Sequence, residues 1–145
     1  MKNPYIFLGI LVISCSNLKT VYTAGELNTN GYAEKKIFEK FQAQTPDKSV
    51  VVFTASFEKD TITILNGNKE IFKSEVETTP QTGFSGFWVV SNLETVELIV
   101  NKPNGIKIKF KQEDLKKYKF VYLSRDAWKR DKYEIEYSNK WKKFM

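Results

Sequence analysis

Histidine is absent from the chain, and cysteine occurs once, at position 15. These two shortages exclude much chemistry. No disulfide can close within the chain, no Cys/His zinc site can be assembled, and a serine or cysteine nucleophile has no imidazole to activate it. An enzyme made from this chain would depend on carboxylates, lysines or tyrosines. The reading is therefore of a non-enzymatic protein with no cofactor, no catalytic residue and no metal site. A bilayer-spanning run is missing as well, since the apolar stretch Tyr5 to Ile13 falls far short of the roughly 20 residues a permanent membrane helix needs. The net charge of +6 would suit an anionic polymer only if the lysines clustered, and they are scattered. There is no recognition helix, no C-x-x-C pattern and no aromatic-glycine signature of an RNA-binding sheet, so nucleic acid is not expected as a partner.

What is present describes a folded chain. Hydrophobic residues make up 41% and aromatics 14%, too apolar for disorder. The 145 residues leave room for one domain and a processing segment.

That segment is the amino terminus. Lys2 supplies a positive charge, and Tyr5 to Ile13 has the length of a signal-peptide hydrophobic region. Val12-Ile13-Ser14-Cys15 then resembles the lipobox of bacterial lipoproteins: an aliphatic residue, a variable one, a small one, then cysteine. The resemblance implies cleavage between Ser14 and Cys15, a diacylglyceryl group on the Cys15 thiol and usually acylation of the new amino terminus. A small Ser14 suits a protease pocket beside the bilayer, and the thiol is a soft nucleophile. Two or three acyl chains anchor stably where one does not. The compact leader and its Ser-rich exit are similar to those of Bacteroidota lipoproteins. Acidic residues just after the cysteine accompany surface export in that group, and Ser16 to Thr20 contains none. The implied location is the bacterial cell envelope, on the outer membrane facing the periplasm, with the membrane as partner through the lipid.

The remaining chain divides into a lipidated tether at 15–31, a short helix at 32–46 and a β-domain at 47–145, behind a signal peptide at 1–14. Ser, Asn, Thr and Gly without periodicity suggest the tether. Ala33, Ile37 and Phe41 at helical spacing, with Phe38 beside them, make an amphipathic helix expected to dock on the β-domain, with Asn30 as its cap and Pro46 beyond its end. After Pro46 the period becomes strand-like. Lys48 to Ser56 is apolar on both faces, as in a central strand. Asn66-Gly67 marks a hairpin between Thr61 to Leu65 and Lys69 to Val76. Runs follow at Phe84 to Ser91 and Thr95 to Val100. Pro103-Asn104-Gly105 then turns the chain into Ile106 to Lys111, and further runs lie at Tyr118 to Leu123 and Lys132 to Ser138. About eight short strands predict a mainly β fold, an antiparallel β-sandwich, with a small barrel as the alternative.

Candidate sites are few. Glu134 and Glu136 share a strand face about 7 Å apart, a glycosidase-like separation, but exposed glutamates opposite lysines are commoner as cross-strand partners. Glu113-Asp114 and Asp126/Asp131 could offer oxygens to calcium, though without a calcium-loop spacing or a supporting glycine. Alternation puts Tyr118, Phe120 and Tyr122 on one face and Tyr133, Ile135 and Tyr137 on another, and Phe87 to Val90 places Trp88 in the core. Trp128, in the loop Ser124 to Asp131, and Trp141, in a basic tail, fit these patterns less well and are the candidate ligand-binding aromatics. The functional expectation is an envelope-anchored protein with a binding or structural role. The alternatives are a carbohydrate-binding module, and an accessory or immunity-like protein that holds an envelope protein through an edge strand.

Overall fold

In a computed structural model describing residues 17–101 and 105–144, the strand-like periodicity resolves into two open sheets. The elements in chain order are β1 (Leu18–Thr23), α1 (Tyr32–Phe41), β2 (Lys48–Phe53), β3 (Asp60–Asn66), β4 (Lys69–Val76) and β5 (Gly86–Ser91). They continue with β6 (Val96–Val100), β7 (Ile106–Phe110), α2 (Gln112–Lys117), β8 (Phe120–Arg125) and β9 (Tyr133–Ser138). One sheet has the order β1-β9-β8-β2-β5 and the other β4-β3-β6-β7. The fold is a β-sandwich, not a barrel. The expected signal segment 1–14, Cys15 and the expected turn residues Pro103 and Asn104 lie outside the described residues; Gly105, which follows them, has φ 66°.

Alternation explains the layers. Ile62 and Ile64 of β3, Val96, Leu98 and Val100 of β6, and Ile108 and Phe110 of β7 meet Val51, Phe53, Val121, Leu123 and Ile135 from the larger sheet in one buried cluster. The larger sheet is apolar on its other face too. There Val50, Val52, Phe120 and Tyr122 are covered by Ile37 and Phe38 of α1 and by Trp141 and Phe144 of the carboxyl-terminal segment. This second layer is why β2 reads as apolar on both sides. The amphipathic helix thus docks on the β-domain, with the Phe38 ring stacked 6.1 Å from Phe120.

Several expectations are corrected. The larger sheet is mixed, because β8 runs parallel to β2 and β1 parallel to β9. Side-chain period identifies faces but carries no strand direction, and the chain visits the whole second sheet before β8 returns beside β2. Residues 18–23 are a strand rather than tether, paired from Leu18↔Tyr133 to Thr23↔Ser138. An edge strand with one solvated face needs little apolar periodicity, so Lys19, Thr20 and Thr23 disguise it. The helix ends at Phe41 with Gln42 in the left-handed region at φ 51°, short of residue 46, and its cap position is Gly31, not Asn30. The positive-φ pair of the first hairpin is Gly67 and Asn68 (φ 57° and 66°), one residue later than Asn66-Gly67. Asn66 is buried instead, its side chain donating to the Ser91 carbonyl at 3.0 Å and accepting from the Ser91 amide at 2.7 Å. Tyr118 precedes β8 and packs with the inter-sheet core, leaving the Phe120/Tyr122 face. Trp88 is half-buried on an edge strand, between Phe41 and Phe72.

Candidate functional site

The β8–β9 connection begins inside the core. Asp60 stands at the inward position preceding Ile62 and Ile64, and Arg125 at the inward position following Val121 and Leu123. They form a buried ion pair, Arg125 Nη2 donating to Asp60 Oδ1 at 2.8 Å. Arg125 also donates to the Tyr133 hydroxyl from Nε at 3.2 Å and Nη2 at 3.1 Å, while the Glu58 amide donates to Asp60 Oδ2 at 2.8 Å. Burial works against the guanidinium charge, but the hydrogen bonds to Asp60 and Tyr133 more than offset it and hold Arg125 above its ordinary range. Sequence reasoning passed over this cluster. Its signal was there: opposite charges at inward positions of two otherwise apolar alternations.

Above the pair, residues 126–132 form a tightly bonded turn. Asp126 Oδ1 accepts the amides of Trp128 and Lys129, each at 2.8 Å, and those bonds hold its carboxyl below the usual carboxylate range. The Asp126 amide donates to the Lys132 carbonyl at 2.9 Å, the Lys132 amide to the Lys129 carbonyl at 2.8 Å, and Arg130 pairs with Glu58 at 2.7 Å. On this frame Trp128 is 93% exposed. A cleft of about 430 Å³ beside it is lined by Asn17, Lys19, Arg125, Asp126, Lys132 and Glu134.

Trp141 lies elsewhere. It follows the far end of β9, so the length of that strand, about 17 Å, separates it from the Trp128 turn. Its ring is half-buried against Phe120, Phe144 and Tyr122 at 5.4, 5.6 and 6.4 Å. It borders a groove of about 510 Å³ with Asn28, Tyr32, Glu34, Lys143 and Phe144. The two candidate indoles therefore do not form one site.

The candidate carboxylates are engaged structurally. Glu134 pairs with Lys19 at 2.9 Å. Glu136 accepts from Thr23 Oγ1 at 2.7 Å and pairs with Lys142. Burial opposes the Glu136 charge, yet Lys142 and Thr23 hold its carboxyl below the ordinary range. Glu113 and Asp114 sit in the first turn of α2, not in a loop, and Asp114 Oδ2 accepts the Tyr22 hydroxyl at 2.9 Å. Among the described residues no three acidic or thiol side chains gather into a metal-binding group. A second buried cation, Lys119, donates to the Thr45 and Lys48 carbonyls at 3.0 and 2.8 Å, and burial pushes its ammonium down.

The fold and these positions define a two-sheet β-sandwich carrying one fully presented indole. Compared with protein-family models, with curated proteins and with solved structures, the chain matches none. Among the described residues no helix is long and apolar enough to cross a membrane.

Proposed function

We propose that this is a lipid-anchored protein of the bacterial cell envelope, held on the outer membrane facing the periplasm, that works through binding or structural contact rather than catalysis. The observation that carries the reading is the order of segments: Lys2, the uncharged apolar run from Tyr5 to Ile13, then Val12-Ile13-Ser14-Cys15. A small residue before a solitary cysteine, directly after a run too short to span, suits cleavage and thiol acylation better than a membrane helix or a catalytic thiol. With no histidine in the chain and no second cysteine, Cys15 has no imidazole or thiol with which to do other chemistry.

Intact mass of the membrane-extracted protein tests it. The expected product lacks the residues before Cys15 and carries added acyl mass, and Cys15→Ala blocks processing. An unmodified chain beginning at Met1 in the cytosol refutes the assignment.

A carbohydrate-binding role is the second reading. It is favoured by the groove lined by both Trp141 and the 75%-exposed Tyr32. Retention on immobilised polysaccharide that survives Tyr32→Ala would count against it.

A further inference from the structure

We infer that the β8–β9 turn is a membrane-contact surface whose Trp128 indole sits in the headgroup layer of the bilayer that holds the lipid anchor. The inference rests on the acylation of Cys15 proposed above, and it adds an orientation: the domain meets the membrane by one defined end.

The first ground is where the chain enters the fold. Asn17 immediately precedes β1, and its carbonyl accepts the Tyr133 amide at 2.8 Å at the start of β9. Three hydrogen bonds join that point to the indole's residue: the Tyr133 amide to the Asn17 carbonyl, the Asp126 amide to the Lys132 carbonyl, and the Trp128 amide to the Asp126 carboxylate. Asn17 also lines the same cleft as Asp126 and Lys132. Cys15 is two positions before Asn17 in the sequence. Two residues span at most about 7 Å, so an acylated Cys15 brings the bilayer to the end of the sandwich that presents Trp128. With β1 already bonded to β9 from Leu18 onward, no long tether lets the domain stand away.

The second ground is the side chain itself. Trp88 and Trp141 are packed against other rings, whereas Trp128 projects at 93% exposure from a turn held by the Asp126 carboxylate and by the Arg130–Glu58 pair. A single exposed ring needs no explanation by itself; what marks this one is that a bonded turn holds it out at the end of the sandwich where the chain enters the fold. An indole, with an apolar body and one N–H donor, suits the membrane interface, and Lys129 and Lys132 beside it can direct their charges toward lipid phosphates, Arg130 being paired with Glu58. Asp126 accepts the Trp128 and Lys129 amides as a carboxylate, Asp131 stands in the same turn and Glu58 pairs with Arg130, so the turn is no strongly cationic patch and the contact rests on the indole.

A glycan is the competing occupant, and the surroundings suit it less well. A sugar-binding ring needs neighbouring groups that orient the sugar, but Trp128 does not line the cleft next to the turn, and five of that cleft's eight lining residues, Lys19, Arg125, Asp126, Lys132 and Glu134, are charged. Tyr133, which also lines that cleft, is buried and bonded to Arg125 rather than presented beside the indole.

The test uses the full processed protein and its Trp128→Phe variant, reconstituted into phosphatidylcholine vesicles containing a minority of phosphatidylglycerol. Parallel vesicles carry phosphatidylcholine brominated near the top of the acyl chains, and the mass of each sample reports acylation. The expected result is bromine quenching of the wild-type emission that Trp128→Phe largely abolishes, at an unchanged thermal midpoint. Acylated protein whose quenching is the same with and without Trp128 overturns the contact and leaves the lipoprotein reading standing. An unacylated chain overturns both. Trp128 emission untouched by brominated lipid but shifted by soluble peptidoglycan fragments overturns the bilayer as occupant and assigns the indole to a glycan.

Discussion

Arg125 and Asp60, sixty-five positions apart, meet at 2.8 Å with side-chain exposures of 4% and 1%, bridging the two sheets beneath the Trp128 turn. Because the two residues belong to β8 and β3, the pair ties the larger sheet to the smaller one at the end where the chain enters. Removing one partner leaves the other charge buried without its counterion. Asp60→Ala and Arg125→Met are each expected to cost about 3–5 kcal/mol, read by denaturant titration. The double variant Asp60→Ala/Arg125→Met should lose less than the sum of the two, since it buries no unpaired charge. Additive losses would show that the pair does not act as a unit.

The two candidate tryptophans are separable by stability alone. Trp141 covers Phe120 and touches Phe144 and Tyr122, so Trp141→Ala opens the outer layer of the larger sheet and is expected to cost about 1–3 kcal/mol. Trp128 is 93% exposed, and Trp128→Ala should change stability by no more than about 0.5 kcal/mol. Thermal melts of both variants check this. A large loss at Trp128 would mean that its ring supports the turn.

The contrast between these indoles also marks what the residues reveal before folding. Ile106, Ile108 and Phe110 alternate with lysines, so the face and even the extent of β7 are legible from the pattern. Trp128 stood out because it broke such a pattern, and it is exposed. Trp141 broke it too, yet it packs, because the face of β2 and β8 that it covers is apolar on residues remote in sequence. Strand direction was hidden for a related reason: nothing within Phe120–Arg125 encodes that its neighbour is β2. Asp60 and Arg125 could have been found from their inward positions, but their pairing is a long-range fact.

β1 should prove to be an integral edge strand, sensitive at alternate positions. The Asn17 carbonyl accepts the Tyr133 amide. In a parallel ladder that starting bond makes Lys19, Val21 and Thr23 the residues whose amides point to β9, while the Thr20 amide points to solvent. Val21→Pro therefore removes a ladder donor and is expected to cost roughly 1–3 kcal/mol, whereas Thr20→Pro should cost distinctly less. Amide exchange across Tyr133 to Ser138 would report the loosening. Equal tolerance of both prolines would mean that β1 is not docked in solution.

Alkaline stability follows from the tyrosines. Burial raises the phenols of Tyr122, Tyr133 and Tyr137 above their ordinary value of 10.0, even though Arg125 lowers the second of them in part. Below about pH 10 these groups are protonated whether the chain is folded or not, so they contribute no pH dependence there. Above it the unfolded chain ionises first, and folding stability falls as pH rises toward the elevated folded values. Near-ultraviolet phenolate absorbance should thus show a late, steep step coincident with loss of the far-ultraviolet β signal. Tyr122 also donates to the Lys140 carbonyl at 2.6 Å and accepts the Lys142 amide at 2.9 Å, pinning the carboxyl-terminal segment. Tyr122→Phe is expected to reduce the late step and to cost about 1–2 kcal/mol at neutral pH by releasing those bonds. If all the tyrosines titrate together near pH 10 while the fold persists, the packing of this face is looser than its geometry implies.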